Sequence, residues 1–181
     1  MTDHIHSGCG HHHHGPVLST ATRLAEADAL CLRQGMRLTE QRRVILEALL
    51  NASKALGAYD LIEVLAARTG KRVAPITIYR VLDFLVETGL VHRIESRNAF
   101  LACPGNQGAH ALAVFMICDC CGRVDEALSP ALEAQLGRLA AEQGFSPKGR
   151  IIEMAGLCSA CGEVAMDAPG KAAKEIARKP A

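Results

Sequence analysis

A chain of 181 residues, 49 % of them hydrophobic, is long enough to bury two small cores, and a formal charge of +1 excludes a basic coat over the whole surface. Four Phe, two Tyr and no Trp speak against stacking on single strands, and no apolar run reaches the ~18 residues of a membrane span. The polar N-terminus does not read as a signal peptide, so a cytoplasmic protein is expected, in which reduced thiols make the eight cysteines candidates for metal rather than disulfides.

Residues 1–18 read as a His-rich flexible tail. It holds His4, His6, His11 to His14 and Cys9, suited either to a leftover tag or to a weak metal-collecting arm. A helix is expected from Ser19 to about Gln34, with Leu24, Ala27, Leu30 and Cys31 as its apolar stripe and Gly35 as its stop. Thr39 is the expected N-cap of a second helix that buries Val44, Ile45, Ala48 and Leu49 and leaves Arg42 and Arg43 outside. A third helix over 58–68 puts Leu61, Ile62 and Leu65 inside and closes at Gly70.

In the fourth helix Pro75 suits the first turn and Gly89 the position past the end. Ile78, Leu82, Leu85 and Val86 share one face, with Thr77, Arg80 and Glu87 on the other. Residues 90–95 and 99–102 around Ser96-Arg97-Asn98 read as a hairpin. Helices followed by a two-stranded wing describe a winged helix-turn-helix over 19–103, whose last helix enters a major groove. Eleven Lys or Arg against nine Asp or Glu between Thr20 and Glu95 leave DNA recognition to individual residues. Thr77, Tyr79, Arg80 and Tyr59 are the candidate contacts.

The stretch 104–109 reads as a hinge. Residues 110–165 are expected to form a small α/β dimerisation domain: a strand over 112–117, another over 123–128, and a helix opened by Ser129-Pro130. That helix carries Leu132, Leu136 and Leu139 and stops at Gly144, and a strand over 151–157 follows. Its apolar surplus suggests pairing with a second copy. Residues 166–181 read as a flexible tail, and the fold class is α+β.

Cys118-x-x-Cys121 and Cys158-x-x-Cys161 have the spacing of a closed four-sulfur zinc site, which leaves no position for substrate; Cys120 fits that turn poorly. Outside the tail the only histidines are His92 and His110, and Cys103 remains once the other cysteines are assigned. These three form a second candidate group.

TIYRVLDFL, LVHRIES with a Cys eleven residues after its His, and ICDCCG resemble the ferric uptake regulator family, and within it the zinc-responsive branch, over residues 21–163. The resemblance implies a homodimeric winged-helix repressor with two Zn2+ per chain, one structural and one regulatory. His92, Cys103, His110 and an acidic residue, Glu126 or its neighbour Asp125, match the regulatory ligands. The iron-sensing branch usually carries HHDH where this chain has AHALAVF, and a Cys-His-His-carboxylate set suits tetrahedral zinc better than ferrous iron. The expected function is a zinc-loaded repressor on double-stranded operators of zinc-uptake genes, with no enzyme activity, organic substrate or membrane partner. An iron- or peroxide-responsive regulator of the same family, and a zinc storage or delivery protein, are the alternatives.

Overall fold

The computed structural model of the chain describes residues 18–71, 73–103, 112–147 and 151–167. The N-terminal arm, His110 and the hinge 104–109 lie outside the described residues.

Helix α1 (Thr20–Arg33) starts where the Ser19 hydroxyl accepts from the Thr22 amide at 3.1 Å. Its expected stripe of Leu24, Ala27, Leu30 and Cys31 is buried. Helix α2 (Glu40–Asn51) follows Thr39, which has the extended backbone of a cap but makes no side-chain cap bond, so that part of the expectation is corrected. Leu46 is buried beside Val44, Ile45 and Leu49, while Ala48 packs at the margin. Arg42 and Arg43 are not simply outside: Arg42 lies 3.3 Å over the Phe84 ring, and Arg43 pairs with Asp28 at 2.8 Å.

Helix α3 (Ala58–Thr69) buries Ala58, Leu61 and Leu65 and ends at Gly70 in the left-handed region. Helix α4 (Pro75–Glu87) buries Ile78, Val81, Leu82, Phe84 and Leu85. Val86, expected inside, is 38 % exposed. The apolar arc of α4 is wider than the face it can bury, and packing against α2 and α3 turns Val81 and Phe84 inward. Just past α4, the Thr88 hydroxyl donates to the Phe84 and Leu85 carbonyls and Gly89 takes a positive φ, which ends the helix and redirects the chain.

The wing is β2 (Val91–Ile94), a short 3-10 turn (Glu95–Arg97) and β3 (Ala99–Ala102). Asn98 closes the turn in the left-handed region, which Asn tolerates. A two-residue strand, β1 (Leu56–Gly57), pairs with β3, so the wing has three strands in the order β1-β3-β2 rather than two. Strands this short carry no periodicity to read.

The second sheet has the order β5-β4-β6. Strand β4 (Ala113–Cys118) pairs antiparallel with β5 (Val124–Ala127) and parallel with β6 (Ile151–Gly156), and α5 (Pro130–Glu142) lies between β5 and β6 in the chain. Ser129 caps α5 as expected. Its leucine stripe is not buried: no residue of α5 is, and Leu139 is 55 % exposed. The final helix, α6 (Ser159–Asp167), was not expected and extends two residues past the anticipated start of the tail.

The first core gathers α1 to α4 with Val91, Phe100 and Ala102 of the wing. The second is small and shared: Ile94 of β2 is buried with Ala113, Phe115 and Ile117 of β4. No described helix is long and apolar enough to cross a membrane.

Candidate metal centres and nucleic-acid face

Strand β4 ends at Cys118, where the chain turns tightly: the Gly122 amide donates to the Cys118 carbonyl at 3.0 Å, and Gly122 has a φ of 74°. Cys121 therefore comes back beside Cys118. The parallel pairing of β4 with β6 sets Cys118 opposite Gly156, and the Asp119 amide extends it to the Gly156 carbonyl. That register delivers Cys158 to the same end of the sheet, with Cys161 on the first turn of α6.

The four Sγ atoms lie within 4.8 Å of one another, and Cys121 Sγ is 3.9 Å from Cys158 Sγ. Zinc–sulfur bonds of about 2.3 Å in a tetrahedron put sulfurs about 3.8 Å apart, so the donors fit a zinc ion. Burial opposes ionisation of Cys118, but backbone amides of Cys121, Cys158 and Cys120 outweigh it and bring its pKa down to about 6. Cys161 moves the other way, pushed up by the neighbouring thiols of Cys158 and Cys120. Four thiolates this close repel one another, which a cation relieves. Among the described residues these four are the only group with such spacing, and Cys120 is exposed outside it.

The second candidate group is divided between the two sheets. His92 on β2 sits over Phe115 of β4, with ring centroids 5.2 Å apart. Phe115 in turn lies opposite Glu126 in the β4–β5 register. His92 Nε2 is 4.0 Å from Glu126 Oε1, and the two side chains are only 14 % and 6 % exposed. Ligand atoms sharing a tetrahedral zinc at about 2.0 Å are about 3.3 Å apart, so a closing of less than an ångström would give these two atoms the spacing of ligands on one ion. Asp125 points to a different partner: its Oδ1 accepts from Arg123 Nε and Nη2 at 2.9 and 2.7 Å. Successive strand residues face opposite ways, which separates the two acids that the sequence left as alternatives.

Cys103 is buried at the end of β3. Its amide donates to the Leu90 carbonyl at 3.0 Å, and its carbonyl accepts from the Arg23 guanidinium of α1. Sequence reasoning missed Arg23, because nothing local in a helix signals a bond to a residue eighty positions away.

On α4, Arg80 is exposed, Thr77 is half-buried, and Tyr79 packs partly against the first core. Tyr59, on the first turn of α3, is 76 % exposed. Beside the start of α4, Gln41, Thr69, Lys71 and Thr77 line a shallow cleft with Val73 and Ala74. Gln41 and Lys71 were not anticipated as part of this face.

Residues 33–155 match the model of the ferric uptake regulator family. The zinc uptake regulation protein of Escherichia coli K12 is 40 % identical over 147 residues, 81 % of this chain and 85 % of that protein. The ferric uptake regulation protein of Campylobacter jejuni is 32 % identical over 133 residues, covering 72 % and 83 %. Among solved structures, a zinc uptake regulator complexed with zinc and DNA superposes with a TM-score of 0.77 at 37 % identity, over 82 % of this chain and 99 % of that one. The chain belongs to the ferric uptake regulator family.

Proposed function

We propose that this protein is a zinc-responsive transcriptional repressor that binds operators of zinc-uptake genes as a dimer when loaded with zinc. The observation that carries this reading is the meeting of His92 and Glu126, a buried imidazole from the wing and a buried carboxylate from the second sheet. Likeness to a zinc uptake regulator complexed with zinc and DNA supports it. The greater identity to the E. coli zinc regulator than to the C. jejuni ferric one supports zinc over iron.

In this reading residues 19–103 are the DNA-binding domain, 104–109 the hinge, and 110–165 the dimerisation and metal-binding domain. Cys118, Cys121, Cys158 and Cys161 hold a structural zinc. Their closed tetrahedron leaves no open position, so the site maintains the fold and the protein is a regulator rather than an enzyme. His92, Cys103, His110 and Glu126 hold a second, regulatory zinc, which makes two per chain. Zinc at the second site supplies a fixed cationic centre that favours the arrangement in which all four ligands converge.

The remaining steps belong to the chain. His92 moves with the wing and α4, and Glu126 with the second sheet, so their approach fixes the angle between the halves. The backbone of Cys103 is set by its bonds to Leu90 and Arg23 at the end of β3, and its thiol would be the third ligand. The exposed apolar surface of α5 and β6, including Leu139, Ile151 and Met154, supplies the dimer interface. The dimer then presents two α4 helices at a spacing that matches paired half-sites, with Arg80, Thr77, Tyr79 and Tyr59 toward DNA. A repressor reading operator DNA in a bacterial relative's manner works in the cytoplasm.

The test is operator binding by Cys103→Ser across buffered free zinc. Dimerisation and one tightly held zinc per chain should remain, and zinc-dependent binding should vanish. Full binding by this variant rejects the regulatory assignment, and restoration of stripped wild-type protein by ferrous iron but not zinc rejects the metal.

A further inference from the structure

We infer that Glu153 and Asp119 are positioning residues that clamp the turn of the wing to the second sheet and so set the angle of the DNA-reading half. For its output the inference rests on the DNA-binding reading above; the bonds themselves do not.

The clamp grips both ends of the three-residue turn Glu95–Arg97. At its start, the Glu153 carboxylate accepts from the Glu95 amide at 2.7 Å and from the Ser96 amide at 3.0 Å, one oxygen to each. At its end, the Arg97 guanidinium pairs with the Asp119 carboxylate. Immediately before the turn, Ile94 is fully buried in the core it shares with Phe115 and Ile117. A charged bond, a bidentate carboxylate and an apolar plug therefore meet on four consecutive residues.

The origin of the two carboxylates makes the arrangement more than a local contact. Glu153 lies on β6 opposite Phe115, on the strand that leads to Cys158. Asp119 lies inside the Cys118–Cys121 turn itself. Both anchors thus belong to the segments that deliver the four cysteines, and neither is one of the candidate ligands. The hinge is not the only determinant of how the halves sit: turning the first half about it must break the Glu153 and Arg97 bonds and uncover Ile94. The cysteine knuckle, besides holding its own fold together, fixes the wing.

A role in setting an angle predicts a selective defect. It matters when two reading helices must fit two half-sites at once, and not when one helix binds alone. The test uses zinc-loaded, full-length Glu153→Gln, Asp119→Asn and the double variant. The DNA probes are a duplex selected in vitro by the wild-type protein with zinc, and the same duplex with one half-site scrambled. Metal content per chain should be unchanged, and the amides of Glu95 and Ser96 should exchange hydrogen at least tenfold faster in the Glu153 variant. The double variant should lose about tenfold in affinity for the intact duplex and less than twofold for the scrambled one. Unchanged exchange overturns the Glu153 bond. Wild-type affinity for the intact duplex, or an equal loss on both duplexes, overturns the positioning role. If the wild-type protein selects no duplex in zinc, the proposed function fails, and the exchange measurement still decides the clamp.

Discussion

The two halves of the molecule are stabilised by different means. In the first, four helices converge on one apolar core in which Ile45, Leu61, Ile78, Leu82 and Leu85 are fully buried. In the second, the buried cluster among the described residues holds three residues of β4 and borrows Ile94 from the wing, while α5 and β6 leave Leu139, Ile151 and Met154 exposed. A half with its own core is held mainly by hydrophobic burial; in the proposed reading, a half with so small a core leans also on metal, on its neighbour and on a second copy.

That contrast can be broken most directly at the cysteines. Cys158→Ser should unfold the second half and remove one zinc per chain, since structural zinc sites contribute on the order of 10 kcal/mol. The helical signal of α1 to α4 should persist; circular dichroism with elemental analysis checks both. A smaller loss is expected from the shared core. Phe115→Ala should cost about 3–5 kcal/mol in urea unfolding and loosen His92, whereas Leu82→Ala should cost about 2–5 kcal/mol without changing zinc affinity. At the DNA face, Arg80→Ala should weaken specific binding by about 1–3 kcal/mol and leave metal binding alone, measured by anisotropy titration at fixed salt.

The smallest effect concerns acidity. Burial opposes the charged form of Glu153, but hydrogen bonds from the Ser96 side chain and the Ser96 and Glu95 amides outweigh it and carry its pKa below the usual carboxylate value. A carboxylate depressed on folding stabilises above its unfolded pKa and loses that contribution as pH falls through its folded value. The clamp should therefore be intact at neutral pH and loosen only as pH falls below the ordinary Glu range, with faster amide exchange at Glu95 and Ser96 as the signal.

The helices of the first half were legible because capping residues and 3.6-residue periodicity are local: Ser19, Pro75 and Gly70 mark boundaries that the structure keeps. Where periodicity offered too many apolar positions, as at Val81, Phe84 and Val86, only the neighbours of α4 could choose among them. In the second half the same rule misjudged α5. Its leucines have the spacing of a buried stripe, but the described residues do not bury them.

The cysteine pairs announced a four-sulfur cluster from spacing alone, because a two-residue gap constrains the backbone whatever the fold around it. By itself the sequence determined most segments that become helix or strand, β1 and α6 excepted, roughly where they stop, and which thiols share a turn, since each depends on residues close in the chain. Tertiary structure decided the rest. The parallel register of β4 and β6 brings the two cysteine turns together, and the β4–β5 pairing turns Glu126 rather than Asp125 toward His92. The docking of the wing puts Glu153 on the amides of Glu95 and Ser96. These are contacts between residues tens of positions apart, whose geometry follows from sheet register and packing and from no local pattern.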